Sequence, residues 1–141
     1  MDILKKAVEF AKEIRKTKEY FNLKVAKEQN DNDSKLQNLI NEFNLLKLKI
    51  QHRNEQNILD DETQKAKYKS DSILLSQCYD KIMENEHMLA FNDASEKMNF
   101  LMENINKILL AAVNGKALEN VNDLLKDENC SGDCSGCSGC F

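Results

Sequence analysis

Residues 91–112 read FNDASEKMNFLMENINKILLAA, and their apolar positions decide the fold. Phe91, Ala94, Met98, Leu101, Ile105, Ile108 and Ala112 are spaced 3, 4, 3, 4, 3 and 4 residues apart. Positions three and four apart share one face of a helix, so the spacing predicts a long amphipathic helix. Gly115 follows, where a left-handed residue is expected to close it. A stripe this narrow suits helix-on-helix packing at a shallow angle.

The same pattern extends upstream. Ile3, Ala7, Phe10, Ile14, Thr17 and Phe21 keep one stripe, which predicts a single helix over residues 2–28. The polar run Gln29-Asn30-Asp31-Asn32-Asp33 should interrupt it. Ser34-Lys35-Leu36-Gln37 fits a capping box, with the Ser34 hydroxyl and the Gln37 side chain satisfying the free backbone donors. Leu36, Leu39, Phe43, Leu46 and Ile50 then carry a second helix. Past Ile50 the stripe fades into His52, Arg53, Asn54, Glu55, Gln56 and Asn57. Asp60-Asp61-Glu62-Thr63 offers a turn and a new helix start, with acids suited to the positive end of the helix dipole. Residues 35–58 and 63–84 are thus expected to form an antiparallel hairpin protruding near Asp60. Ile73, Leu74, Leu75, Cys78, Ile82 and Met83 supply the apolar side of the return helix, and a break is expected near Asn85. Leu118, Val121 and Leu125 allow one short helix within 117–125.

Composition agrees. The 141 residues include no proline and four glycines, none before position 115, so the first 114 residues lack a strong breaker. Tryptophan is absent and aromatics are 6%, which leaves Leu, Ile, Met, Phe and Ala to build the core. The expected fold is all-α: an antiparallel helical bundle over residues 1–115 with a protruding hairpin, a short helix and linker over 116–128, and a flexible cysteine-rich tail over 129–141. Apolar surface on this scale exceeds what one chain with a protruding hairpin covers, so a homo- or hetero-oligomer is expected.

The formal net charge is -4. Phosphate backbones repel an acidic chain, which argues against direct nucleic-acid binding. Residues 1–30 are the exception, with eight Lys or Arg against five acids, the pattern of a solvated face or of one that attracts an acidic partner. No apolar run approaches the ~20 residues of a bilayer span, so membrane insertion is not expected. MDILKKAVEFAKEIRK lacks the apolar core of a signal peptide, and Asp2, Glu9 and Glu13 argue against a transit peptide. Five cysteines in such a chain point to a reducing, cytoplasmic setting and to metal chemistry over disulfides.

Four of those cysteines, Cys130, Cys134, Cys137 and Cys140, are separated only by Ser, Gly and Asp133. Small spacers let the chain turn tightly about an ion, and thiolates are the ligand form that soft metals favour. The Cys134, Cys137, Cys140 run matches the start of a ferredoxin-type pattern, although the usual remote cysteine followed by proline is missing. Cys130 or a thiol from another protein could complete the set. An iron–sulfur cluster is the leading expectation, and Zn2+ and an unliganded tail stay open. Cys78 stands at an apolar helical position and reads as a buried, inert thiol.

Catalytic patterns are weak. Glu84 and His87 have Glu-x-x-His spacing, but a di-iron site needs a second such pair, and His52 has Lys49 three residues before it. Both histidines read as surface residues. No phosphate-binding loop can form without glycine before position 115. Met88, Met98 and Met102 lie on a helical stripe and read as core.

The chain resembles the YlbF/YmcA family of small helical proteins from Gram-positive bacteria. The resemblance rests on Ile14 to Tyr20, on Ser34-Lys35-Leu36 leading to Phe43, and on Phe91 to Asn99 running through Leu101 to Ile108. The Ser/Gly-spaced cysteines are similar to the terminus of the YlbF branch. The resemblance implies a non-enzymatic regulatory adaptor in a complex with YmcA-like and YaaT-like proteins. Such a complex carries [4Fe-4S] clusters and modulates RNase Y, and so mRNA processing, competence, sporulation and biofilm formation. Ligation carries over to Cys130, Cys134, Cys137 and Cys140 alone. The alternative is a zinc-binding or metal-carrier helical protein acting as a homo-oligomer.

Overall fold

The computed structural model describes residues 2–55 and 62–126. They form α1 (Ile3–Ile14), α2 (Lys18–Asn32), α3 (Ser34–Glu55), α4 (Glu62–Glu84), α5 (Glu86–Val113) and α6 (Val121–Leu125), with no strand among the described residues. The chain divides into two compact units, Met1–Met98 and Asn99–Phe141, with the boundary inside α5.

The first unit is organised by the α3–α4 hairpin. Leu36 is fully buried and forms the core with Cys78 and Ile82. Leu39, Ile40, Phe43 and Met88 pack around them. Farther along, the Cys78 thiol donates to the Leu39 carbonyl at 3.1 Å, the Phe43 and Tyr79 rings lie 6.1 Å apart, and Arg53 pairs with Asp71. From Leu36 against Ile82 at one end to Arg53 against Asp71 at the other, residue numbers on α4 fall as those on α3 rise, so the helices run antiparallel, as expected. The stripe read in α3 is the packed face: Leu36 and Leu46 are buried, and Leu39, Phe43 and Ile50 are half-buried. Of the apolar positions read in α4, Leu75, Cys78, Ile82 and Met83 are buried or half-buried, while Ile73 and Leu74 are exposed. The expected hairpin tip near Asp60 lies outside the described residues.

The expected single helix over 2–28 is two helices. Thr17 Oγ donates to the Ile14 carbonyl at 2.6 Å, ending α1, and accepts from the Tyr20 N–H at 3.2 Å, starting α2. A threonine that serves both ends with its own hydroxyl competes with the continuous helix ladder. The polar run 29–33 interrupts less than expected. Helix α2 continues through Asn32, because buried Asn30 finds partners: its side-chain N–H donates to Met88 Sδ at 3.3 Å, and Gln37 Nε2 donates to its backbone carbonyl at 2.8 Å.

The start of α3 also differs from the capping box read in the sequence. Asp33, not Ser34, accepts the first free donor, with the Leu36 N–H 3.0 Å from Asp33 Oδ1. A carboxylate accepts this bond more strongly than a hydroxyl does. Gln37 reaches back to Asn30 instead of the cap. The break at Asn85 forms as expected, and its side-chain oxygen accepts from the His87 and Met88 N–H groups, capping α5.

In the second unit, the last part of α5 closes at Gly115, whose φ is +70°. The Gly115 N–H donates to Ala112 O at 3.2 Å and the Lys116 N–H to Ala111 O at 2.9 Å, the paired bonds of a Schellman stop. Helix α6 lies within the 117–125 stretch read in the sequence, and the Asn120 side chain caps it and sets its start at Val121.

Candidate interaction surface and cysteine tail

The expected metal ligands Cys130, Cys134, Cys137 and Cys140 lie outside the described residues. Among the described residues, no group of three His, Cys, Asp or Glu side chains could hold a metal ion. Cys78 is buried, as expected. Burial pushes its thiol up, the charge of Glu42 pushes the same way, and Lys81 opposes. It stays a protonated packing group rather than a thiolate.

The two histidines separate. His52 is exposed, as expected, but His87 is half-buried. Its Nδ1 lies 2.9 Å from Asp33 Oδ2, and Asn85 Nδ2 donates to the same oxygen at 3.0 Å. The Asp33 carboxyl is held well below the usual range, first by the Leu36 N–H, then by Asn85 and His87. Glu84 ends α4 and is exposed, while His87 belongs to α5, so the Glu-x-x-His spacing does not put the pair on one helix face. Met88, Met98 and Met102 are half-buried, in keeping with a packing role.

Two features escaped the sequence reading. The Asp33–Asn85–His87 junction joins residues more than fifty positions apart, and no local spacing announces that. Asp33 alone carried a signal, since an aspartate just before an apolar-periodic segment is a helix-start residue. The second is the Arg53–Asp71 ion pair, whose side chains are only 20% and 19% exposed. It falls in the stretch past Ile50 that reads as a fading polar stripe, so a charge pair joins the two hairpin helices there.

The most extensive feature of the surface is apolar. Helix α1 buries no residue. On a helical wheel, Ile3, Leu4, Ala7, Val8, Phe10, Ala11 and Ile14 share one side, and Ile3 and Leu4 are 74% and 69% exposed. Leu45 and Leu48 on α3, Ile73, Leu74 and Tyr79 on α4, and Phe100, Leu109, Leu110 and Val113 on α5 are also exposed. Isolated exposed leucines are ordinary, but sets sharing one helix face mark interaction surface. No described helix is long and apolar enough to cross a membrane.

A helical hairpin flanked by helices with open apolar faces is an all-α protein that presents surface for association. A family model described as control of competence regulator ComK, YlbF/YmcA, matches residues 3–114. The chain belongs to the YlbF/YmcA family, a family of competence regulators. Neither the curated proteins nor the solved structures include a match to this chain.

Proposed function

We propose that this chain is a non-enzymatic adaptor that joins YmcA-like and YaaT-like proteins in a cluster-bearing complex modulating RNase Y-dependent mRNA processing. The observation that carries the adaptor reading is how little apolar surface the chain covers by itself. Among the described residues, the buried apolar side chains are Ala26, Leu36, Leu46, Cys78, Ile82, Ala94 and Ala111, whereas seventeen large apolar side chains are exposed. Covering apolar surface stabilises by roughly 25 cal/mol per Å². Faces this open favour association strongly, and the family match makes regulatory proteins the natural partners.

The donor set of the tail fits a cluster. Cys130, Cys134, Cys137 and Cys140 supply four soft sulfur ligands, the number a [4Fe-4S] cluster takes. Cys78 is buried and bonded to Leu39, so it is not a competing ligand. A bound cluster supplies an element sensitive to oxygen and iron. The chain's own part is to supply the four thiolates, and a change in their ligand state would bias which partners the chain binds.

Anaerobic co-purification of the tagged full chain, beside a chain truncated after Asp127, tests both parts. The full chain should be brown, with iron and acid-labile sulfide in equal amounts and partner proteins retained. The truncated chain should be colourless. A colourless full chain with stoichiometric zinc would overturn the cluster assignment, and one that retains no partner would overturn the adaptor role.

A further inference from the structure

We propose that α1 is a reversible surface anchor that lies flat on a bilayer of anionic phospholipid, with its apolar side in the headgroup boundary and Lys5, Lys6 and Lys12 reaching the lipid phosphates. The proposal goes beyond the regulatory role above and does not depend on the cysteine tail.

Helix α1 has 12 residues and buries none of them. At 3.6 residues per turn its apolar side runs from Phe10 round to Val8, an arc of about 160°. Lys5 and Lys12 border that side next to Val8, and Lys6 borders it next to Phe10. Glu9 falls opposite its centre, and Glu13, also at the back, pairs with Lys16 at 2.6 Å. Cations therefore stand at both edges of the apolar side and acids stand away from it. A lipid surface favours that order: lysine stems lie along apolar surface while their ammonium groups reach out to phosphate.

Charge selects the occupant. Residues 2–16 carry five Lys or Arg against three acids, on a chain whose net charge is -4. Exposed charges more than about 10 Å apart are largely screened at ordinary salt, so the local surplus of cations decides what α1 meets. A second copy seated face to face would bring one lysine-edged apolar side against another, whereas anionic headgroups complement those edges. No described helix is long and apolar enough to cross a membrane, so α1 lies in the plane of the surface and does not span it. A YmcA-like partner seated on α1 would use the same side chains, so lipid and that partner exclude one another there.

Flotation of the full chain with lipid vesicles reads the anchor. Vesicles of phosphatidylcholine containing roughly a third phosphatidylglycerol should carry the wild type upward, and vesicles of phosphatidylcholine alone should leave it behind. A Leu4→Asp chain and a Lys5→Gln, Lys6→Gln, Lys12→Gln chain should each bind the anionic vesicles at least about tenfold less. Their helical signal and melting curves should stay those of the wild type, because α1 buries no residue. A Lys5→Arg, Lys6→Arg, Lys12→Arg chain should float like the wild type, and ~1 M salt should release most of it. Leu48→Asp is the control, since Leu48 is an exposed leucine on α3 and its replacement should leave flotation unchanged. Equal flotation of all these chains would overturn the proposal, as would equal binding to neutral and anionic vesicles or a wild type that stays behind. A wild-type oligomer that Leu4→Asp dissolves, seen by sedimentation velocity beside a failure to float, would give the α1 face to a second copy instead.

Discussion

Asp33 Oδ2 and His87 Nδ1 lie 2.9 Å apart, joining the corner between α2 and α3 to the first turn of α5. The other oxygen of the same carboxylate caps α3 through the Leu36 N–H. One side chain therefore sets where a helix starts and which element it meets. Leu36, three residues on, is the most deeply buried side chain among the described residues.

The carboxylate should make the fold sensitive to acid. In the folded chain Asp33 sits well below its ordinary value of 3.8 because the Leu36 N–H, Asn85 and His87 bind its ionised form. A depressed folded-state value means that the unfolded chain takes up the proton first as pH falls. The Asp33 contribution is thus complete above the ordinary value and is lost as pH drops from there through the folded value. Urea midpoints measured from pH 6 down to pH 2 should fall steeply in the wild type below about pH 4. Asp33→Asn should start lower and fall less over that window. Parallel curves for the two chains would remove Asp33 from the acid response.

The core is small, so its central residue should matter out of proportion. Leu36→Ala leaves a cavity between Cys78 and Ile82, and such truncations cost ~2–5 kcal/mol. In a chain with so few buried side chains, that loss should abolish the cooperative thermal transition. Leu48→Ala is the control: Leu48 lies on the same helix, 61% exposed, and its loss should change stability by no more than ~0.5 kcal/mol. Circular dichroism melts of both variants decide the point, and equal effects would mean that the core lies elsewhere.

Periodicity made the helices legible and local chemistry adjusted their ends. The stripe through Leu36, Leu39, Phe43 and Leu46 faces the hairpin partner, and Gly115 adopts the left-handed conformation expected of it. Thr17, by contrast, fits the apolar stripe in register, yet its hydroxyl divides the helix. A hydrophobic pattern records which face is turned inward and carries no information on such competing hydrogen bonds. Nor does it show which stripes find cover within the chain. Ile3 and Phe10 follow the same spacing as Leu36 and Phe43 but remain exposed. His87 and Arg53 escaped because their partners are distant in sequence, and long-range pairing leaves no local trace.

The α1 face offers a test of association that spares the fold. Val8 is 56% exposed and Phe10 is 47% exposed, and α1 buries no residue. Val8→Asp should therefore shift the melting temperature by only a few degrees, as surface substitutions do. In a complex it would place a charge against apolar surface without a partner, which is costly. Affinity for YmcA-like partners in pull-down or calorimetry should drop at least ~10-fold, equivalent to ~1.4 kcal/mol or more. Unchanged affinity would take α1 out of the interface and leave the exposed faces of α3, α4 and α5 as the candidates.

The cysteines differ in what replacing them should do, because one is packed and four are candidate ligands. Cys78→Ser puts a hydroxyl where the thiol already donates to the Leu39 carbonyl, so the bond can persist and the change falls on packing. Stability should drop by ~1 kcal/mol, with iron and sulfide content unaltered. Cys137→Ser removes one of four soft donors and leaves three, and a hydroxyl does not replace a thiolate at an iron site. Anaerobically purified Cys137→Ser chain should carry less than about a tenth of the wild-type iron, with the helical signal and melting temperature unchanged. The two results should be opposite: a stability change without metal loss at Cys78, and metal loss without a stability change at Cys137. If Cys137→Ser keeps its full iron and sulfide while Cys78→Ser loses them, the inorganic centre belongs to the helical body and the tail is not its ligand.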